Sequence, residues 1–132
     1  MKIAYWATCS LEPEIEAVSK EVATLAEHFR PSFVFSVNSQ LTFRLSLTNR
    51  SIGFRHSLDP WFRPLIQAME TCVDISHVYG DVTPWVYRKS LGKKPIIHTI
   101  ASEKGTPDAD FLDRCSAVIV QTEGMHRRLL EL

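Results

Sequence analysis

The stretch DISHVYGDVTPWVYRKSLGKKPIIHTI, residues 74–100, decides the fold. Residues 74–79 and 95–100 are short apolar runs of β-prone composition. Between them residues 84–91 read as a helix, which Gly92, Lys93, Lys94 and Pro95 bring to a stop. The alternation then continues: residues 107–115 read as helix, 117–121 as strand and 123–132 as helix, with Thr122 placed as the N-cap of that last element. Consecutive β-α units predict right-handed crossovers and a mostly parallel sheet with helices on both faces, hence a Rossmann-like α/β domain.

The amino-terminal half completes this sheet. Residues 2–8 are apolar with little alternation, as in a strand covered on both faces. Ile15, Val18, Val22, Leu25, Ala26 and Phe29 then recur at helical spacing, with Ser10 as N-cap and Pro13 in the first turn. Residues 33–37 read as a second buried strand. From Leu41 the period changes to two: Leu41, Phe43, Leu45 and Leu47 alternate with Thr42, Arg44, Ser46 and Thr48, and a turn at Asn49-Arg50-Ser51 follows. Residues 41–55 therefore predict a hairpin, either inserted in the sheet or laid on its edge. Residues 60–72 read as a helix with Trp61, Leu65, Ala68, Met69 and Cys72 near one face, and Pro64 is expected to confine the regular part to its later turns.

With 132 residues, 45% of them hydrophobic and 23% charged, the chain fits a single globular domain. Lys+Arg and Asp+Glu are 15 each, so the formal charge is zero and nucleic acid is not an expected partner. The widely spaced Cys9, Cys72 and Cys115 form no C-x-x-C pair, which suggests a reducing, cytoplasmic compartment. Nothing approaches the roughly 20 apolar residues of a membrane span. Arg30, Arg44, Arg50, Arg55 and Arg63 nevertheless stand against Asp59 alone among aromatic residues. Arg44, Arg50, Arg55 and Arg63 are candidates for a phosphate-binding patch or for peripheral contact with the inner face of a membrane.

Parallel strands direct their carboxyl ends to one rim, where ligands bind. The loops there offer Ser10, Glu12, Tyr79, Gly80, Asp81, Trp85, Ser102, Glu103, Lys104, Thr122 and Glu123 as cleft-binding candidates. The first loop, Cys9-Ser10-Leu11-Glu12-Pro13, has no glycine and so lacks a dinucleotide-binding turn. His77 and His98 lie in apolar strands without partners at metal-ligand spacing and read as sheet-face histidines, and no metal site is expected. Cys115 reads as a structural thiol, and no side chain is assigned a catalytic role.

Residues 74–81, then 92–99, then 117–123 followed by Arg127-Arg128-Leu129-Leu130-Glu131-Leu132, resemble in order the amino-terminal domain of GT-B glycosyltransferases of the retaining family-4 type (group 1). The resemblance spans most of the chain if Met1–Phe29 is taken as that family's first β-α unit, and residues 1–132 are then read as one domain. It implies an acceptor-side domain of a hexosyltransferase-like enzyme, whose carboxyl-terminal donor-binding domain is absent from this chain. The parent would bind a sugar acceptor and a nucleotide-sugar donor, with no tightly bound cofactor, and this half alone would be inactive. The sequence departs from the family at two places: Leu11-Glu12-Pro13-Glu14 replaces a Gly-Gly pair, and Ala101 stands where a histidine is usual. His98 should point to the side of the sheet opposite Ala101. These departures keep two alternatives in view, a non-catalytic binding module of the same fold and a free-standing flavodoxin-like domain.

Overall fold

Ile3, Ala4, Tyr5, Trp6 and Ala7 are all buried, which places their strand, β1 (Ile3–Ala7), in the middle of the sheet. The structure, a computed structural model, describes residues 1–7, 17–37, 43–47, 50–54, 59–80, 85–101 and 108–132. After β1 come α1 (Ala17–His28), β2 (Ser32–Val37), β3 (Phe43–Leu47), β4 (Arg50–Phe54) and α2 (Asp59–Thr71). The remainder is β5 (Ile75–Tyr79), α3 (Trp85–Ser90), β6 (Ile96–Ile100), α4 (Ala109–Leu112), β7 (Ala117–Val120) and α5 (Glu123–Leu129). They build a sheet of order β4-β3-β2-β1-β5-β6-β7. The five strands from β2 to β7 in that order are parallel, and β3 and β4 add an antiparallel hairpin at one edge. The Rossmann-like α/β arrangement and the hairpin read from the sequence are both present, the hairpin laid on the edge.

Strand alternation divides the core in two. Ile3, Tyr5 and Ala7 pack with Val22, Val34 and Tyr79, and with Val18, Leu25 and Ala26 of α1. On the other face Ala4 and Trp6 pack with Phe35, Ile66, Val78, Tyr87, Leu91, Ile96 and Phe111, and so with α2, α3 and α4. Trp6 stands edge-on to Phe33 and Phe35, with centroids 5.8 Å away in each case. The Tyr87 hydroxyl donates to the carbonyl oxygens of Ala7 (2.9 Å) and Phe35 (3.3 Å), tying α3 to the ends of β1 and β2.

Several local expectations are corrected. Ile66 and Glu70 of α2 are buried and Met69 packs against the core as expected, whereas Leu65 and Ala68 of the same helix, and Cys72 just beyond it, are exposed. The helix also begins at Asp59 rather than after Pro64, whose ring lies on the solvent side. Phe29 lies beyond the end of α1 and is 40% exposed, because the residue before a proline disfavours helix and Pro31 follows Arg30. The helix expected over 107–115 is only Ala109–Leu112, capped by the Asp108 carboxylate on the Phe111 amide (2.9 Å), and α5 stops at Leu129.

Glu70 displaces the expected stripe for a clear reason. Its wholly buried carboxylate accepts from the successive amides of Gly92 (2.9 Å), Lys93 (3.1 Å) and Lys94 (3.3 Å), and from the Ser76 hydroxyl (3.4 Å). Such a run of converging N–H groups is an anion-binding concavity, here filled from within. Gly92 has φ +142°, so the turn needs glycine. Arg114 completes this end of α3 by donating to the carbonyl oxygens of Arg88 and Leu91, both at 2.9 Å. Among the described residues no helix is long and apolar enough to cross a membrane.

Candidate functional site

The parallel strands lie in the order β2-β1-β5-β6-β7, so the chain leaves β1 towards one side and β5 towards the other. The crevice at the carboxyl ends of β1 and β5 is the topological switch point, where open α/β sheets bind ligands. Ala7, Tyr79 and Gly80 end those strands there, and Ala7 pairs with Tyr79 in register.

Beside this point a hydrogen-bonded chain spans from α1 to the end of β7. The Gln121 side-chain amide donates to the Tyr79 phenol oxygen (2.9 Å) and to the Glu21 carboxylate (3.1 Å to Oε2). An amide has two N–H bonds, so it serves both partners at once. Tyr79 is buried, while Glu21 and Gln121 are open to solvent. The polar array therefore has a fixed base and an accessible lip.

His77 lies one step below on the same face, its ring 5.6 Å from Tyr79 and 5.4 Å from Tyr5, with Nε2 at 2.8 Å from the Thr99 hydroxyl. Burial, then the nearby His98, lowers its pKa from 6.5 to about 4, against an upward pull from Glu21. Burial likewise pushes the Tyr5 phenol up. At neutral pH His77 and Tyr5 therefore act as neutral polar groups.

His98 takes the opposite face, against Phe111 at 5.6 Å, whereas Ala101 packs with the β1–α1 side, as alternation predicted. Its Nε2 lies 3.2 Å from the Gly80 carbonyl oxygen, and burial lowers its pKa. Gly80 also donates its own N–H to the Thr99 carbonyl at 3.0 Å, so both backbone groups of this glycine are engaged by β6.

Of the residues selected from sequence, Tyr79, Gly80 and Thr122 meet at this rim, and Glu123 follows at the start of α5. Thr122 caps α5 by accepting from the Met125 amide at 3.2 Å, and Glu123 pairs with Arg127 at 3.5 Å. Trp85 is the first residue of α3. Ser10, Glu12, Asp81, Ser102, Glu103, Lys104 and Arg55 lie outside the described residues. Arg44 and Arg50 do not share one end of the hairpin: Arg44 pairs with Gly53 and Arg50 with Leu47, about 10 Å apart along β4. Arg63 is exposed on α2.

Sequence reasoning missed Glu21, His77, Thr99 and Gln121. Gln121 was accessible to the rule that selected Thr122, because it is the adjoining residue at the same strand end. Cys115 is a partly buried thiol, 3.4 Å from the Phe111 carbonyl oxygen, and burial raises its pKa to about 11. That environment suits a structural thiol rather than a nucleophile. Removing the α5 cap gives a direct check on the rim: Thr122→Ala is expected to cost about 1 kcal/mol in urea unfolding. A loss below about 0.3 kcal/mol would show that the hydroxyl contributes little to holding this corner.

No family model, curated protein or solved structure matches the chain at a significant level.

Proposed function

We propose that this chain is the acceptor-side domain of a glycosyltransferase that moves a sugar from a nucleotide-sugar donor to a hydroxyl-bearing acceptor. The observation that carries the reading is the Glu21–Gln121–Tyr79 array beside the switch point. With the Gln121 N–H groups spent within the array, the Glu21 carboxylate and the Gln121 amide oxygen offer acceptors to the O–H groups of a hydroxyl-bearing ligand. The ordered sequence resemblance supports the same assignment. In this reading Glu21 and Gln121 orient the acceptor, while Tyr79 fixes the amide plane from beneath. The donor supplies the activated anomeric carbon, and a second domain would close the cleft, so positioning and charge stabilisation need both walls.

Binding of the acceptor is testable on the chain itself. Titration with a panel of neutral mono- and disaccharides, followed by amide NMR, is expected to shift Glu21, Tyr79 and Gln121 while producing no sugar transfer from nucleotide-sugars. Glu21→Ala should weaken the best saccharide about tenfold, the effect of losing a hydrogen bond to a charged group. Saccharides that leave these amides unmoved, or that bind equally to the variant, would end the reading.

One observation favours a second reading. The parallel strand order is also that of flavodoxin-like domains, which bind flavin mononucleotide at the same switch point. Saturable binding of that nucleotide, with no saccharide response, would select it.

A further inference from the structure

His98 presents a polar atom arrangement that core filling does not explain. It is wholly buried in β6 and packs its ring edge-on against Phe111. A leucine or phenylalanine would fill such a place without the cost of burying two ring nitrogens. A carbonyl oxygen can only accept, so the contact with Gly80 requires the proton on Nε2. In the neutral ring Nδ1 is then a bare acceptor, and it has no hydrogen-bond partner among the described residues. Among the described residues, the imidazole thus makes one directed bond, to the backbone.

That bond holds the peptide at which the chain leaves β5. Gly80 is buried and has φ +145°, a conformation that side-chain-bearing residues rarely adopt. Its N–H is held by the Thr99 carbonyl and its C=O by His98, two adjacent residues of β6. Thr99 also meets His77 on the other face of the sheet. Tyr79, whose phenol oxygen anchors Gln121, immediately precedes this clamped glycine. We infer that His98 is a positioning residue for the rim: its Nε2–H fixes the Gly80 carbonyl and so sets where the Tyr79 phenol meets the Gln121 amide. The structural part stands alone, and its importance for ligand binding rests on the acceptor-site reading above.

The test compares His98→Leu, which keeps the bulk, with His98→Gln, whose amide restores an N–H donor. Amide hydrogen exchange is read by NMR in each. In His98→Leu the Gly80 amide is expected to exchange about tenfold faster, while Val22 and Leu25 in α1 stay within about twofold. His98→Gln should recover most of that protection and the wild-type Gln121 side-chain shift. Equal protection of Gly80 in all three proteins would overturn the inference. So would uniform acceleration of every amide, or failure of glutamine to rescue. Should His98→Leu not fold, nitrogen-15 shifts of the wild-type ring decide: protonation at Nε2 alone is expected, and protonation at Nδ1 alone would overturn it. Wild-type saccharide binding with unchanged Gly80 exchange in His98→Leu rejects His98 but keeps the acceptor site. Loss of Gly80 protection with no saccharide binding in the wild type does the reverse.

Discussion

On acidification from pH 6.5 towards pH 4 the folded state is expected to lose about 3 kcal/mol through His77. The folded ring resists protonation because it is buried beside His98, whereas in the unfolded chain it takes up a proton near its ordinary value of 6.5. Between the two values the unfolded state holds about one more proton, so stability falls as pH falls, by about 1.4 kcal/mol per pH unit. Above 6.5 both states are neutral at this residue and the contribution is complete. His98 is shifted in the same direction by burial and adds to the slope. The Asp108 carboxyl is held below 3.8, chiefly by the Phe111 amide, and so titrates below this range. Urea unfolding at several pH values between 5 and 6.5 measures the slope. His77→Gln should flatten it by about one proton. A wild-type slope that the variant leaves unchanged would show that His77 is not the group responsible.

The same two histidines show where sequence reading reaches its limit. Their setting in apolar strands identifies them as sheet-face residues, and alternation alone places His98 opposite Ala101. What each ring touches depends on the neighbouring strand and its register, since Thr99 and Gly80 lie 22 and 18 residues away in the chain. The order of strands and helices was legible because apolar period and Gly/Pro punctuation are local signals. Thr122 was legible as a cap for the same reason. The Glu21–Gln121 contact joins residues 100 positions apart, and nothing in either segment announces the other. Ala117, Val118 and Ile119 form an apolar run like those of the inner strands, yet they are exposed because β7 is the last strand of the sheet. Composition cannot distinguish a central from an edge position.

Glu70 is the clearest case of a local rule overridden by tertiary structure, and its removal should have the larger effect on stability at neutral pH. A glutamate at a helix position is ordinarily assigned to solvent, and the stripe inferred for this helix, Trp61, Leu65, Ala68, Met69 and Cys72, leaves Glu70 out. The carboxylate instead serves as the counterpart of three consecutive amides at the α3–β6 turn. Glu70→Ala would leave those donors facing a cavity, with an expected loss of about 3–5 kcal/mol. Glu70→Gln keeps shape and one acceptor oxygen but turns an NH2 group towards backbone N–H groups, so a loss of about 2 kcal/mol is expected. Urea unfolding at pH 7 distinguishes the two, and the order alanine worse than glutamine is part of the prediction. Losses below about 1 kcal/mol in both variants would mean that water replaces the carboxylate at the turn. Because β6 begins directly after that turn, loosening it also frees the strand that carries His98 and Thr99. Partial loss of Gly80 amide protection should therefore accompany Glu70→Ala, linking the buried carboxylate at one end of β6 to the switch-point rim at the other.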